Sequence, residues 1–176
     1  MSALERGLVQ VYTGDGKGKT TASVGLAVRA IGAGLRVAFV QFVKGGERSS
    51  ELGVLERLGA TVIRPAASPT GLLGGGLTEE DFRAAREAWA WAEQAIAGGA
   101  YDLVVLDEIN VATAYDLVAE DRVLVALDAR PPHVEVVLTG RGASETVIAR
   151  ADLVTELRAC RHPFDAGIAA RKGIEY

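Results

Sequence analysis

Cysteine is almost missing from this chain of 176 residues, where Cys160 stands alone. A single thiol cannot close an intramolecular disulfide, and metal centres built on paired cysteines are excluded with it. Positive charge is not in excess either. Nineteen Lys and Arg face 23 Asp and Glu, giving a net charge of −4, and no basic block or stripe offers the electrostatic footprint that a nucleic acid needs. Long hydrophobic runs are missing as well. None approaches the roughly 18 residues of a membrane span, and the start "MSALERGLVQVY" has neither a basic n-region nor an apolar h-region. These absences lead us to expect a cytoplasmic protein with no membrane and no nucleic-acid partner.

What is present is a good core. Hydrophobic residues make up 49% of the chain and charged residues 24%, and the length suits one domain, residues 1–176. Short β-branched runs alternate with helical patterns. The order is "LVQVY", a helix from Lys19 to about Ala33, "RVAFVQFV", a helix near Ser49 to Leu58, "TVIR" and a glycine-rich loop, Pro65 to Thr78. A helix near Glu79 to Ala97 follows, then "YDLVVLDE", helical material through Ala129, "HVEVVLTG", a short helix near Glu145 and "DLVTEL". The strands read as nearly continuous apolar runs, which predicts burial on both faces and a mostly parallel sheet with helices on both sides, an α/β fold.

The helix over 79–97 carries its own boundaries. Thr78 can cap it with Asp81 in an acidic first turn, Gly98 and Gly99 stop it, and Phe82, Ala85, Trp89, Ala92 and Ile96 form one apolar stripe. Trp91 lies roughly 200° round from Trp89 and points away from that stripe. A second packing layer or a subunit contact is expected there, with a ligand contact as the alternative.

The stretch "VYTGDGKGKTTA" is a strand, a glycine-rich loop and a helix start. That arrangement is a phosphate cradle, in which consecutive backbone N–H groups form a concavity and the helix N-terminus adds partial positive charge. Gly14, Gly16 and Gly18 allow a tight turn and a close backbone approach. Lys19 would neutralise a phosphate, Lys17 adds a second ammonium, and the Thr20 hydroxyl, with Thr21 beside it, suits Mg²⁺. The usual spacing of such loops has glycine at position 13, where this chain has Thr13 followed by Gly14.

Two further strand ends point the same way. "YDLVVLDEIN" sets Asp107 and Glu108 at the C-terminal edge of the sheet, where they can hold a metal or its water shell. The alternative for Asp107 is the N-cap of the next helix. "LTGRGASE" puts Arg141 between glycines after a strand, in reach of phosphate. Arg29, ten residues beyond Lys19, suits a nucleotide contact or a solvated face equally well. These parts define a Mg²⁺–nucleoside triphosphate site, and the residues alone do not choose between kinases, hydrolases and motors.

Taken together, "VYTGDGKGKTTA" with its displaced glycine, "RAIGAGLRVAFVQFVKG", "YDLVVLDEIN", "LDARPPHVEVVLTGRGA" and the tail "RHPFDAGIAARKGIEY" resemble the P-loop ATP:corrinoid adenosyltransferases. The resemblance implies a homodimeric RecA-like P-loop fold that moves the 5′-deoxyadenosyl group of ATP onto the Co(I) centre of a reduced corrinoid, cobalamin or its cob(I)yrinic acid a,c-diamide precursor, and releases triphosphate. An electron donor such as a reduced flavoprotein would supply the Co(I) state. It further implies that Thr13 to Thr20 and Lys19 hold the triphosphate, that Thr20 and Glu108 ligate Mg²⁺ with Asp107 supporting the metal shell, and that Asp15 stands at a ribose contact usually made by Asn. Arg29 takes the adenine-side place and Arg141 a place near the phosphates. A small RecA-like NTPase or kinase is the competing reading, and a non-enzymatic corrinoid or nucleotide carrier is another.

Two segments depart from the family pattern. The loop after the third strand, "AASPTGLLGGG", carries Leu72 and Leu73 where members have an aromatic pair that presses on the lower corrin face. Only "MSALERG" precedes the first strand, where members have a helix that closes over the corrinoid. Closure is therefore expected to be weaker or to fall to other parts, such as the glycine-rich loop.

Overall fold

A computed structural model describes residues 4–43, 50–64 and 76–174. Six strands form one sheet: β1 (Val9–Thr13), β2 (Val37–Gln41), β3 (Thr61–Ile63), β4 (Leu103–Asp107), β5 (Glu135–Thr139) and β6 (Leu153–Glu156). Their order is β3-β2-β4-β5-β1-β6, and every pairing is parallel. The helices are α1 (Lys19–Gly32), α2 (Ser50–Arg57), α3 (Glu79–Ala97), α4 (Ile109–Ala114), α5 (Glu120–Ala129) and α6 (Glu145–Arg150).

Successive strand residues point to opposite faces, and each face has its own core. Ala38, Val40, Val104, Leu106, Val136 and Leu138 pack with Trp89, Ile96 and Leu127 of α3 and α5. Val37, Phe39, Leu103, Val105 and Val137 pack with Ala27, Leu52 and Leu55 of α1 and α2. Helices cover both sides, as the apolar strand runs require.

The expectation of two buried faces holds for β2 and β4, whose residues are all buried, and for all but the first residue of β5. It fails at β6. "LVTE" is exposed along its length, with Leu153 and Val154 more than 40% accessible, because β6 is the sheet edge and has a neighbour on one side only. Helical material up to Ala129 is also interrupted. Asp116 takes a left-handed φ of 56°, and the amides of Leu117 and Val118 both return to the carbonyl of Ala112, so α4 ends and α5 starts afresh.

The capping box of α3 is present. Thr78 Oγ1 accepts from the Asp81 N–H at 3.3 Å and the Asp81 carboxylate accepts from the Thr78 N–H at 2.8 Å. Trp89 is buried against Phe42, ring centroids 6.4 Å apart, while Trp91 packs beside Tyr101 at 5.8 Å. Trp91 thus belongs to a packing layer, one of the two roles expected for it. Leu72 and Leu73 of the glycine-rich loop lie outside the described residues.

Candidate nucleotide cleft

The loop after β1 explains its own displaced glycine. Thr13 is the last residue of β1, where its carbonyl accepts from the Leu157 N–H at 2.8 Å and its hydroxyl accepts from the Ala143 N–H at 3.4 Å. The left-handed turn is made one residue later by Gly14, at φ +93°. A Cβ there would meet the Leu157 carbonyl oxygen at 2.4 Å. Gly16 donates its N–H to the same carbonyl at 2.7 Å, and a Cβ on Gly16 would lie 2.7 Å from the Leu157 and Arg158 carbonyl carbons. The close approach that Gly16 permits is therefore to the chain's own backbone after β6. Gly18, at φ +123°, starts α1 with no side-chain cap and no acidic residue in the first turn, which leaves the positive end of the helix for an anion.

Lys19 is 7% exposed, and its ammonium donates to the carbonyls of Gly14 at 2.6 Å and Gly16 at 2.8 Å. Burial holds its pKa below the usual lysine value, with Glu108 drawing it back up. The Thr20 hydroxyl donates to Asp107 Oδ1 at 3.0 Å. Asp107 is completely buried. Its Oδ1 also accepts from the Thr139 hydroxyl at 2.8 Å, and its Oδ2 accepts from Gln41 Nε2 at 3.2 Å. Asp107 is therefore no helix cap: Glu108 occupies the N-cap position of α4, without a side-chain cap bond. Glu108 takes φ +63° and donates its N–H to Thr139 Oγ1 at 2.9 Å.

A cleft of about 610 Å³ opens above these groups. Of the residues expected there, Asp15, Gly16, Lys17, Gly18, Lys19, Thr20, Thr21, Glu108 and Arg141 line it. Thr13, Gly14 and Asp107 support it from below. Arg141 is tied to the loop, its Nη2 donating to the Asp15 carbonyl at 3.4 Å and its Nε 3.9 Å from Asp15 Oδ1. Lys17 donates to the Ile174 carbonyl at 2.9 Å. Arg29 is not brought to the cleft. It sits in the last turn of α1, about 15 Å along the helix from Lys19, where it offsets part of the rise that burial and Glu135 impose on the Tyr12 phenol.

Sequence reasoning missed several contributors. Gln41 and Thr139 hold Asp107, and their signal was a polar residue at the C-terminal end of an apolar strand. Val24, Ser50, Glu51, His162, Gly173 and Ile174 complete the cleft wall, the last three from the tail. Leu157 acts through its backbone, for which no side-chain signal exists.

The arrangement offers amides, the ammoniums of Lys17 and Lys19 and the Arg141 guanidinium to a polyanion, with the Thr20 hydroxyl and the Glu108 carboxylate beside them and Asp107 buried behind Thr20. Among the described residues no group of three or more His, Cys, Asp and Glu could hold a metal unaided. A hard cation with few protein ligands, completing its shell with phosphate oxygens and water, fits this donor set.

Solved structures of similar shape include the RadB recombinase (TM-score 0.53, 20% identity, covering 87% of this chain and 75% of that one) and the flagellar accessory protein FlaH from Methanocaldococcus jannaschii (TM-score 0.50, 13% identity, 87% and 72%). These likenesses show a RecA-like P-loop fold. In sequence the chain is 42% identical over 173 residues to the corrinoid adenosyltransferase of Escherichia coli and 42% over 172 residues to that of Salmonella typhimurium, covering 98% of this chain and 87% of each relative. The corrinoid adenosyltransferase of Pseudomonas aeruginosa is 40% identical over 178 residues, 98% of this chain and 85% of that one. A profile of the family described as ATP:corrinoid adenosyltransferase BtuR/CobO/CobP matches residues 5–176. A phosphate cradle on a RecA-like sheet, matched from end to end at this level of identity, establishes that the chain belongs to the ATP:corrinoid adenosyltransferase family.

Proposed function

We propose that this protein transfers the 5′-deoxyadenosyl group of ATP to the Co(I) centre of a reduced corrinoid and releases inorganic triphosphate. The observation that carries the reading is the convergence of the loop, Lys19, Thr20, Glu108 and Arg141 on one cleft in a chain of this family. The cobalt lone pair attacks C5′, the C5′–O5′ bond breaks, and its electrons leave with the triphosphate. The nucleophile carries no proton, so no side chain is asked to remove one. The protein's work is to present the carbon and to stabilise charge on the departing oxygen.

Loop amides from Lys17 to Thr20 hold the phosphates, while the Gly16 N–H stays on the Leu157 carbonyl. Lys19, bonded to the Gly14 and Gly16 carbonyls in the structure, exchanges those neutral acceptors for anionic phosphate oxygens, which attract the ammonium more strongly. Arg141 steadies the outer oxygens and Asp15 stands beside the ribose. Mg²⁺, held by Thr20 and Glu108 with Asp107 behind Thr20, would neutralise the triphosphate. The reaction is placed in the cytoplasm, in a homodimer, with a reduced flavoprotein as electron donor. No helix among the described residues is long and apolar enough to cross a membrane.

The test is an anaerobic assay with Mg²⁺–ATP and chemically reduced corrinoid. An adenosylated corrinoid with one triphosphate per turnover is the expected outcome. ADP with no cobalt–carbon bond would replace this reading with phosphoryl transfer.

A further inference from the structure

Thr139 touches both acidic residues at the end of β4. Its hydroxyl donates to Asp107 Oδ1 at 2.8 Å and accepts from the Glu108 N–H at 2.9 Å. The directions are forced by chemistry. An ionised carboxylate only accepts, an amide N–H only donates, and a hydroxyl with one proton and free lone pairs is the group that can serve both. The residue is completely buried at the end of β5. Its neighbour Gly140 is fixed too, its carbonyl accepting from Asn110 Nδ2 at 3.3 Å.

What the hydroxyl holds is not relaxed. Glu108 is a non-glycine residue with φ +63°, a backbone region that costs energy for L side chains and persists where neighbours over-determine it. That backbone angle decides how the Glu108 side chain leaves β4 to line the cleft. Asp107, meanwhile, is the carboxylate that receives the Thr20 hydroxyl at 3.0 Å. One hydroxyl therefore ties the Glu108 backbone to the carboxylate that receives Thr20.

We propose that Thr139 is a positioning residue for the cation of the substrate complex: through its hydroxyl it holds the left-handed Glu108 and the buried Asp107, so that the Glu108 carboxylate and the Thr20 hydroxyl face the same Mg²⁺. The inference rests on the reading of the cleft as a Mg²⁺–ATP site. Groups that orient metal ligands from behind, when removed, weaken metal affinity or activity by about 10- to 100-fold, and the same range is expected here.

The test compares Thr139→Val, which keeps the shape and deletes the hydroxyl, with Thr139→Ser, which restores it. ATP binding is measured by calorimetry on the intact protein, once with Mg²⁺ and once with a chelator. Thr139→Val should bind ATP about 10- to 100-fold more weakly than the parent in Mg²⁺ and equally well in chelator, with Thr139→Ser close to the parent in both. In the adenosylation assay Thr139→Val should need more Mg²⁺ for half-maximal rate. Equal loss with and without Mg²⁺, no loss at all, or no recovery with serine would overturn the proposal. Should the valine protein not fold, Thr139→Cys, a near-isostere with weak hydrogen bonding, serves the same comparison. Failure of the adenosyltransferase reading is separable, since the parent would then bind Mg²⁺–ATP and form no cobalt–carbon bond.

Discussion

Asp102 and Asp107 stand at the two ends of β4, about 17 Å apart, and their partners give them different work. Asp102 accepts from the Arg36 N–H at 2.8 Å and from Arg36 Nε and Nη2 at 3.0 and 2.9 Å. The Arg36 side chain holds its pKa below the usual carboxylate value. Asp107 is held by hydroxyl and amide donors, Thr20, Thr139 and Gln41. Replacing Asp102 by Asn should destabilise the fold by about 2 kcal/mol, a fall of roughly 4–8 °C in Tm. A depressed pKa in the folded state stabilises above the unfolded value of about 4 and is lost as pH falls through the folded value. The gap between parent and Asp102→Asn should therefore be constant from pH 7 to 5 and shrink towards pH 3 in denaturant titrations. Lys19→Ala is expected to lower kcat/KM by at least about 100-fold with the fold retained; an unchanged turnover would remove Lys19 from the site. Lys19, Thr20, Asp107, Glu108 and Arg141 were legible as candidate site residues because each lies at a strand end or within two residues of one or of a glycine. Thr139 was not, because its importance lies in two hydrogen bonds to residues more than thirty positions away.

Among the elements, the phosphate loop draws its support from far along the chain. Leu157 accepts from Gly16 and donates to Thr13, so the exit of β6 forms the floor of the loop. Gly16→Ala would drive a methyl group into that floor, 2.7 Å from two carbonyl carbons. It should cost about 1–3 kcal/mol and weaken ATP binding. Gly25→Ala is the contrast. Gly25 lies within α1 with no atom of the described residues beyond its own helix backbone and chain neighbours within 4 Å of its would-be Cβ, and alanine there should stabilise the protein by about 0.5–1 kcal/mol. Melting curves of the two variants check both signs. Element types were readable from periodicity, and α3 even from its capping box. The exposure of β6 was not, since "LVTE" looks like any other apolar strand until the sheet order leaves it at the edge.

At the scale of the whole molecule the tail walls part of the cleft. His162, Gly173 and Ile174 form part of its wall, and Lys17 reaches the Ile174 carbonyl. Ending the chain after Ala170 should leave melting of the sheet core nearly unchanged and raise the KM for ATP, measurable in the same assay. The local chemistry of this protein was determined by the sequence alone: a strand, a glycine turn and an uncapped helix start make an anion cradle whatever surrounds them, because backbone amides and helix polarity are short-range properties. Which groups meet in the cleft was decided by the tertiary structure. Strand order sets β5 between β4 and β1, so that Thr139 and Arg141 fall between the two acidic residues and the loop. That order follows from the burial of two hydrophobic faces at once, a balance over the whole chain that no short stretch contains.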